Sequence, residues 1–267
     1  MNGPPSGEGS DTPGGAAAAS GRYEGWRGDD LARRLDLPHV VTFDSISSTL
    51  DVAHELAEAG AAAGTLVLAD TQTAGRGRLG RSWRSEPGAG VWLTVIERPR
   101  DAAALDVLSL RVGLALAPVL DAFAAERVAL KWPNDLYVGA RKLGGILVEA
   151  RWREGSPEWV AIGVGVNVRT PSGEPRAVGL RDDCARLDVL LAMVPALRDA
   201  AAREGPLTAD ELRAFSERDL AAGRSCAEPL VGTVQGIDAS GALLIAPAPG
   251  GPPVMVRAGS LVLTEEL

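Results

Sequence analysis

Lysine is almost missing from this sequence. Only Lys131 and Lys142 occur in 267 residues, and arginine carries the rest of the positive charge. Histidine is as scarce, with His39 and His54 alone, which argues against both a Ser–His–Asp constellation and a histidine-rich metal centre. The two cysteines, Cys184 and Cys226, lack metal-ligand spacing. That argues against a disulfide framework and fits a reducing compartment, with the cytoplasm as the default. Basic residues number 27 against 35 acidic ones, a net charge of −8. A broad nucleic-acid footprint would need a basic face, so no nucleic-acid partner is expected. No run of about 18 apolar residues suited to a bilayer stands out, and no basic-then-apolar leader opens the chain, so no membrane association is expected. What is present is the composition of an ordinary globular protein, with length for one large domain or a large and a small one.

Read in order, residues 1–22 are Gly, Pro, Ser and Ala with few apolar anchors, and are expected to form a disordered tail. Gly25 to Pro38 reads as a short helix. His39 to Asp44 alternates like a strand, and Ser48 or Thr49 would cap a helix over Asp51–Ala59. His54, inside that helix, reads as a surface or packing residue. Thr65–Ala69 and Gly90–Ile96 are further strands, and Ala102–Ala125 has the periodicity of a core helix. Val128–Trp132, Leu136–Val138, Gly145–Trp152 and Trp159–Val168 read as strands joined by turns at Gly139 and Gly155. Helices are expected over Cys184–Arg203 and Thr208–Leu220, the latter with a capping box from Thr208 and Glu211. After Gly223 four short strands, Val231–Ile237, Ala242–Ala246, Val254–Arg257 and Leu261–Leu263, suggest a small β-barrel. The class is therefore α+β: a mixed sheet packed by helices, followed by a small C-terminal barrel.

The chemistry concentrates between Thr71 and Leu147, which holds both lysines. An ammonium is a compact point charge and a guanidinium a wide planar fork, so a tight site can accept one and reject the other. Two lysines kept eleven residues apart suggest that both face one anionic ligand. The stretch opens with Gly75-Arg-Gly-Arg-Leu-Gly80. This matches a dinucleotide glycine pattern formally, but Arg81-Ser-Trp-Arg-Ser-Glu-Pro-Gly is no helix to seat a pyrophosphate. A solvated turn explains the glycines and not the cluster of Arg76, Arg78 and Arg81. A mobile loop that closes on phosphates explains both. Lys131-Trp-Pro-Asn-Asp135 ends a strand at a proline and presents Asn134 and Asp135 at a rim. A carboxylate beside polyphosphate is a usual Mg²⁺ ligand; the plainer alternative is an Asx turn.

Together these motifs resemble the biotin–protein ligase family, within the wider biotin/lipoate ligase superfamily. The matching residues are Gly75-Arg-Gly-Arg-x-Gly-Arg-x-Trp83, Lys131-Trp-Pro-Asn-Asp-Leu-Tyr137, Arg141-Lys-Leu-x-Gly-Ile-Leu-Val-Glu149 and Ile162-Gly-x-Gly-x-Asn167, in the family's order and spacing. The resemblance implies a biotin/lipoate ligase catalytic fold over residues 23–222 and an SH3-like C-terminal domain over 223–267. It implies that Ser48, Thr49, Gln72, Gly75 and Arg76 bind biotin, with Gly145, Gly163 and Gly165 flooring the pocket. Arg78, Arg81, Trp83, Lys131, Asn134 and Asn167 would bind ATP, and Asp135 would hold Mg²⁺. Lys142 would touch both the biotin carboxylate and phosphate, so that Lys142, Arg78 and Lys131 carry catalysis. Leu50 departs from the pattern, since family members often have Asn there.

The activity so implied is ATP-dependent formation of biotinoyl-AMP and transfer of biotin to a lysine of the biotin carboxyl carrier domain of an acyl-CoA carboxylase. Two other readings stay open: a lipoate or octanoate ligase of the same superfamily, and a non-catalytic biotin-responsive regulator. Only about forty residues precede the catalytic motifs, too few for the winged-helix domain of bifunctional members, so the monofunctional form is expected. An exposed sheet edge would allow a homodimer.

Overall fold

The computed structural model describes residues 22–99, 101–248 and 250–264. The tail expected over 1–22 lies outside them except for Arg22. The segment expected as one leading helix is a hairpin, β1 (Arg22–Tyr23) with β2 (Trp26–Arg27), followed by α1 (Gly28–Leu35). Positive φ at Glu24 and Gly25 makes the turn, so the helix cannot start before Gly28. Then come β3 (Val40–Ile46), α2 (Thr49–Glu58), β4 (Thr65–Gln72), β5 (Gly90–Glu97) and α3 (Ala103–Asp121). β6 (Val128–Lys131), β7 (Asp135–Val138), β8 (Arg141–Arg153) and β9 (Ser156–Asn167) complete the large sheet. α4 (Arg186–Ala201) and α5 (Ala209–Ser216) lead to β10 (Ser225–Glu228), β11 (Gly232–Ile237), β12 (Leu243–Pro247), β13 (Val254–Val256) and β14 (Val262–Leu263).

The large sheet is mixed, in the order β3-β4-β5-β9-β8-β7-β6. β3 and β4 are parallel, joined through α2, and every other pairing is antiparallel. Side chains alternate faces along a strand. In β4, Leu66 and Leu68 enter the core that holds α3 and α4, and Val67 and Ala69 enter a smaller core under α2. The α2 face is the one that carries the site. α2 covers only part of it, and the uncovered part lies over the glycines of β8 and β9.

The 19-residue α3 is long and apolar enough to cross a bilayer, which the sequence reading had not picked out. Ten of its residues are buried inside the protein, and Arg111 sits among them at 2% exposure. That guanidinium bonds Glu211 of α5 at 2.8 Å and the carbonyls of Arg203, Gly205 and Pro206. Burial acts to raise the Glu211 carboxyl, but the Arg111 guanidinium and the Thr208 backbone outweigh it and hold the pKa low. The expected capping box at Thr208 is present, although α5 ends at Ser216 instead of reaching Leu220.

The C-terminal module is a five-stranded antiparallel sheet, β13-β12-β11-β10-β14, one strand more than expected. Ser225-Cys-Ala-Glu228 has little intrinsic strand preference and is recruited by pairing with β11 and β14. The module is seated on the large domain by hydrogen bonds, with the buried Trp132 Nε1–H donating to the Gly241 carbonyl at 2.9 Å. Residues 218–220 cover the β6 edge through bonds to Leu130.

Asp219 lies in that covering segment. One carboxylate oxygen accepts from the Ala221 N–H at 2.9 Å, and the other is buried without a protein partner. Burial pushes its pKa up to about 6, against the pull of the Ala221 and Ala222 amides. A carboxyl raised in the folded state contributes stability below the unfolded value near 3.9, and this is lost as pH rises through the folded value. Asp219→Asn is therefore expected to be neutral near pH 4 and to stabilise by about 3 kcal/mol at most above pH 7. Thermal unfolding at both pH values checks it; an equal shift at both would contradict the assignment.

Candidate functional site

The uncovered part of the sheet floors a cavity of about 1020 Å³ whose wall includes both lysines. The β6–β7 hairpin sets Lys131 opposite Asp135, and the β7–β8 pairing sets Tyr137 opposite Lys142. Lys142 Nζ lies 2.7 Å from Asp135 Oδ1 and 5.4 Å from the centre of the Trp83 ring. Lys131 Nζ lies 5.7 Å from the Tyr137 ring. Burial lowers the Lys131 pKa while Asp135 supports the charge; burial likewise lowers that of Arg78, and pushes the Tyr137 phenol up to about 12. Arg78, Arg81, Lys131 and Lys142 thus line one concavity in which cationic side chains far outnumber the two carboxylates, Asp135 and Glu174. Such a site is built for an anion.

The glycine–arginine loop forms the roof. Trp83 N–H donates to the Gly75 carbonyl at 2.7 Å and Gly77 N–H to the Arg81 carbonyl at 2.7 Å, so the loop is a pinched hairpin. Its tip is a 3-10 turn, Arg78–Gly80, with Leu79 at φ 56° and its side chain exposed. Gly75, expected to bind biotin, is not on the cavity wall. A Cβ there would sit 2.4 Å from the Trp83 carbonyl oxygen, so the glycine is needed to close the loop's neck. Trp83 itself lies flush on β9: a Cβ on Gly165 would be 2.7 Å from its Nε1. Gly163 makes the same kind of room for Leu50, whose side chain atoms would be 3.1 Å from an added Cβ.

Ser48, Thr49, Gln72, Arg76, Arg81, Asn134 and Asn167 also reach the wall, as do Gly145, Gly163 and Gly165. Several have their polar ends engaged within the protein. Ser48 caps α2 by accepting from Leu50 N–H. Thr94 donates to the Thr49 hydroxyl at 2.8 Å, which donates onward to Gln72 Oε1 at 3.2 Å, while Gln72 Nε2 donates to Ser85. Asn134 donates to the Ile146 carbonyl and accepts from Arg78 at 3.4 Å. Asn167 donates to the Val178 carbonyl at 3.2 Å. Arg76 turns to Asp51 and Glu149. These groups shape the wall and hold one another in place. His54 is more than a packing residue, since it bonds both Glu149 and Trp159.

Two stretches of the wall had no sequence signal. Pro171 to Ala177 runs beside Lys142, whose N–H donates to the Arg176 carbonyl at 2.8 Å. Ser260 to Leu263 of the C-terminal module closes one side, and Arg81 donates to Ser260 at 3.4 Å. Arg84 bonds the Ser172 carbonyl, tying the roof to the first of these stretches. Among the described residues no group of three or more His, Cys, Asp or Glu is placed to hold a metal ion. Asp135 offers a single carboxylate with one oxygen already on Lys142. That donor set suits only a hard cation whose remaining ligands come from phosphate and water, as Mg²⁺ allows.

Residues 42–167 match the biotin/lipoate A/B protein ligase family. The bifunctional ligase/repressor BirA of Bacillus subtilis is 42% identical over 131 residues, 49% of this chain and 40% of that protein. The biotin–[acetyl-CoA-carboxylase] ligase of Mycobacterium tuberculosis is 35% identical over 170 residues, 61% of this chain and 58% of that protein. The chain thus spans about half the length of the curated relatives it matches. Among solved structures, the biotin protein ligase of Aquifex aeolicus in complex with biotin and ATP superposes with a TM-score of 0.67 at 24% identity, covering 84% of this chain and 97% of that one. The biotin protein ligase of Leishmania major in complex with biotinyl-5-AMP gives 0.57 at 25% identity, covering 81% and 98%. The fold expected from the sequence, a mixed sheet with helices and a small C-terminal β module, is the one observed.

Proposed function

From the match of residues 42–167 to the biotin/lipoate A/B protein ligase family, we propose that the chain is a member of that family and an ATP-dependent biotin–protein ligase. The observation that carries the reading is the convergence of the chain's only two lysines on one cavity roofed by guanidinium groups. The reaction has two steps. An oxygen of the biotin carboxylate attacks the α-phosphorus of ATP, and the bond to the departing pyrophosphate breaks, leaving biotinoyl-AMP. A lysine amine of the acceptor then attacks the acyl carbon, the bond to AMP breaks, and the amine gives up a proton. The first step brings two anions together, so its cost is mainly electrostatic. Lys142 is held for it by Asp135 and Trp83, and Arg78 and Lys131 face the same space. Positioned cations of this kind lower a barrier without acid–base chemistry, which agrees with the absence of any histidine on the wall.

The apolar end between Leu50, Leu147 and Gly163 suits a hydrophobic bicyclic acid, and the cationic end suits the nucleotide. Asp135 would hold Mg²⁺ together with phosphate oxygens, and the ion when bound would supply further charge neutralisation. A large domain over 23–222 would carry the chemistry, and the module over 223–267 would border the nucleotide or acceptor side through Ser260–Leu263. The acceptor so implied is a biotin carboxyl carrier domain.

A pyrophosphate-release assay with ATP tests the substrate. Biotin is expected to stimulate release and lipoate or octanoate to leave it at background. Stimulation by lipoate and not by biotin would move the protein to the other branch of the superfamily.

A further inference from the structure

The third sequence motif ends in Glu149, to which the mechanism above assigns nothing. Glu149 follows Gly145 and Leu147 at alternate positions of β8, on the face that lines the cavity. Its Oε2 accepts from Arg76 at 2.9 Å and from His54 Nε2 at 3.0 Å. The same Arg76 nitrogen lies 3.0 Å from Asp51 Oδ1. Asp51 and His54 are three residues apart on α2 and so share one face. His54 Nδ1 receives the Trp159 indole N–H at 3.0 Å. An indole nitrogen only donates, so the imidazole in this arrangement carries its proton on Nε2 and must donate to Glu149. The chain of contacts therefore has a fixed direction, from Trp159 through His54 to Glu149, with Arg76 gripped at the end.

We propose that Glu149 is a positioning residue: oriented by His54, it clamps Arg76 and makes the first limb of the glycine–arginine loop a fixed outer wall for the apolar end of the cavity. Backbone bonds continue the anchorage on the same limb. Thr73 N–H donates to the Ile46 carbonyl at 2.8 Å and Ala74 N–H to the Ser47 carbonyl at 2.9 Å. Among the described residues, the loop past Arg76 makes no further ion pair to α2 or β8, only the Trp83 ring under Lys142, and the strained tip at Leu79 follows Arg76. The loop thus divides at Gly77 into a clamped limb that retains the acid and a tip, held by the long Arg78–Asn134 and Arg81–Ser260 contacts of 3.4 Å, that meets the nucleotide. That the retained acid is biotin rests on the ligase reading; the clamp does not.

Glu149→Gln keeps the size and removes the charge. Hydrogen exchange on the free protein is expected to quicken about fivefold at residues 74–77, near the upper limit for a half-exposed ion pair, and Arg76→Gln is expected to reproduce it. In steady-state assays Glu149→Gln is expected to raise the KM for biotin by a similar factor, leaving kcat and the KM for ATP unchanged. Raised salt should move the wild type toward the variant and leave the variant where it is. Unchanged exchange in Glu149→Gln overturns the clamp whatever the substrate is. Faster exchange with an unchanged KM for biotin overturns the wall. A wild-type protein that shows the clamp by exchange but activates no biotin overturns the ligase reading instead.

Discussion

Replacing Lys142 by Ala is expected to lower biotinoyl-AMP formation by about a thousandfold, the upper range for loss of one positioned electrostatic donor. The side chain pairs directly with Asp135, at 2.7 Å, and it lies over Trp83, so it stands where the roof, the rim and the floor meet. Removing it takes away attraction for both anions at once and leaves the Asp135 carboxylate to repel them. Lys142→Arg is expected to fail nearly as badly. Lys142 Nζ sits between Asp135 at 2.7 Å and the Trp83 ring at 5.4 Å, and a planar fork there would have to displace Trp83 or break from Asp135. Single-turnover pyrophosphate release measures both variants. Wild-type rates in Lys142→Arg would refute the shape argument, and wild-type rates in Lys142→Ala would refute the role itself.

The second large effect is on stability. Arg111→Ala is expected to cost about 3–5 kcal/mol, as breaking one side of a buried ion pair does, and to lower Tm by on the order of 10 °C. The variant leaves the Glu211 carboxylate, 7% exposed, with only the Thr208 N–H and the solvent-facing Arg203 guanidinium at 3.4 Å, and leaves the carbonyls of Arg203, Gly205 and Pro206 without their shared donor. The penalty belongs to the under-compensated carboxylate more than to the lost attraction. The double variant Arg111→Met with Glu211→Leu is therefore expected to recover most of the loss. Denaturant unfolding of the three proteins decides; a double variant no better than Arg111→Ala would assign the cost to packing.

Much of this was legible in the chain because the signals are local. Hydrophobic period located β3 to β9 and α2 to α4, since each element's burial is set by its own alternation. The cavity's cations were legible because Lys131 and Lys142 lie in two strands of adjacent hairpins, so short range in sequence became short range in space. What escaped was supplied from a distance. His54 read as packing because its partners Glu149 and Trp159 are 95 and 105 residues away. The wall at Ser260 depends on a contact across 179 residues with Arg81. The position of Gly75 at the loop's neck was not legible, because its motif marks the loop without saying which glycine faces the cavity and which lets the neck close. The hairpin before α1 was missed because two-residue strands have no period.

The bond from Trp132 to Gly241 has a further meaning for how the protein can change over time. The same five-residue motif that turns Lys131, Asn134 and Asp135 toward the cavity turns its indole the other way, into the small module's Asp238–Gly241 turn. The module is therefore no detachable cassette. Drift in that distant turn perturbs the motif's geometry, so the two segments are constrained to diverge in step, and grafting a barrel from another lineage would require carrying its matching turn along with it.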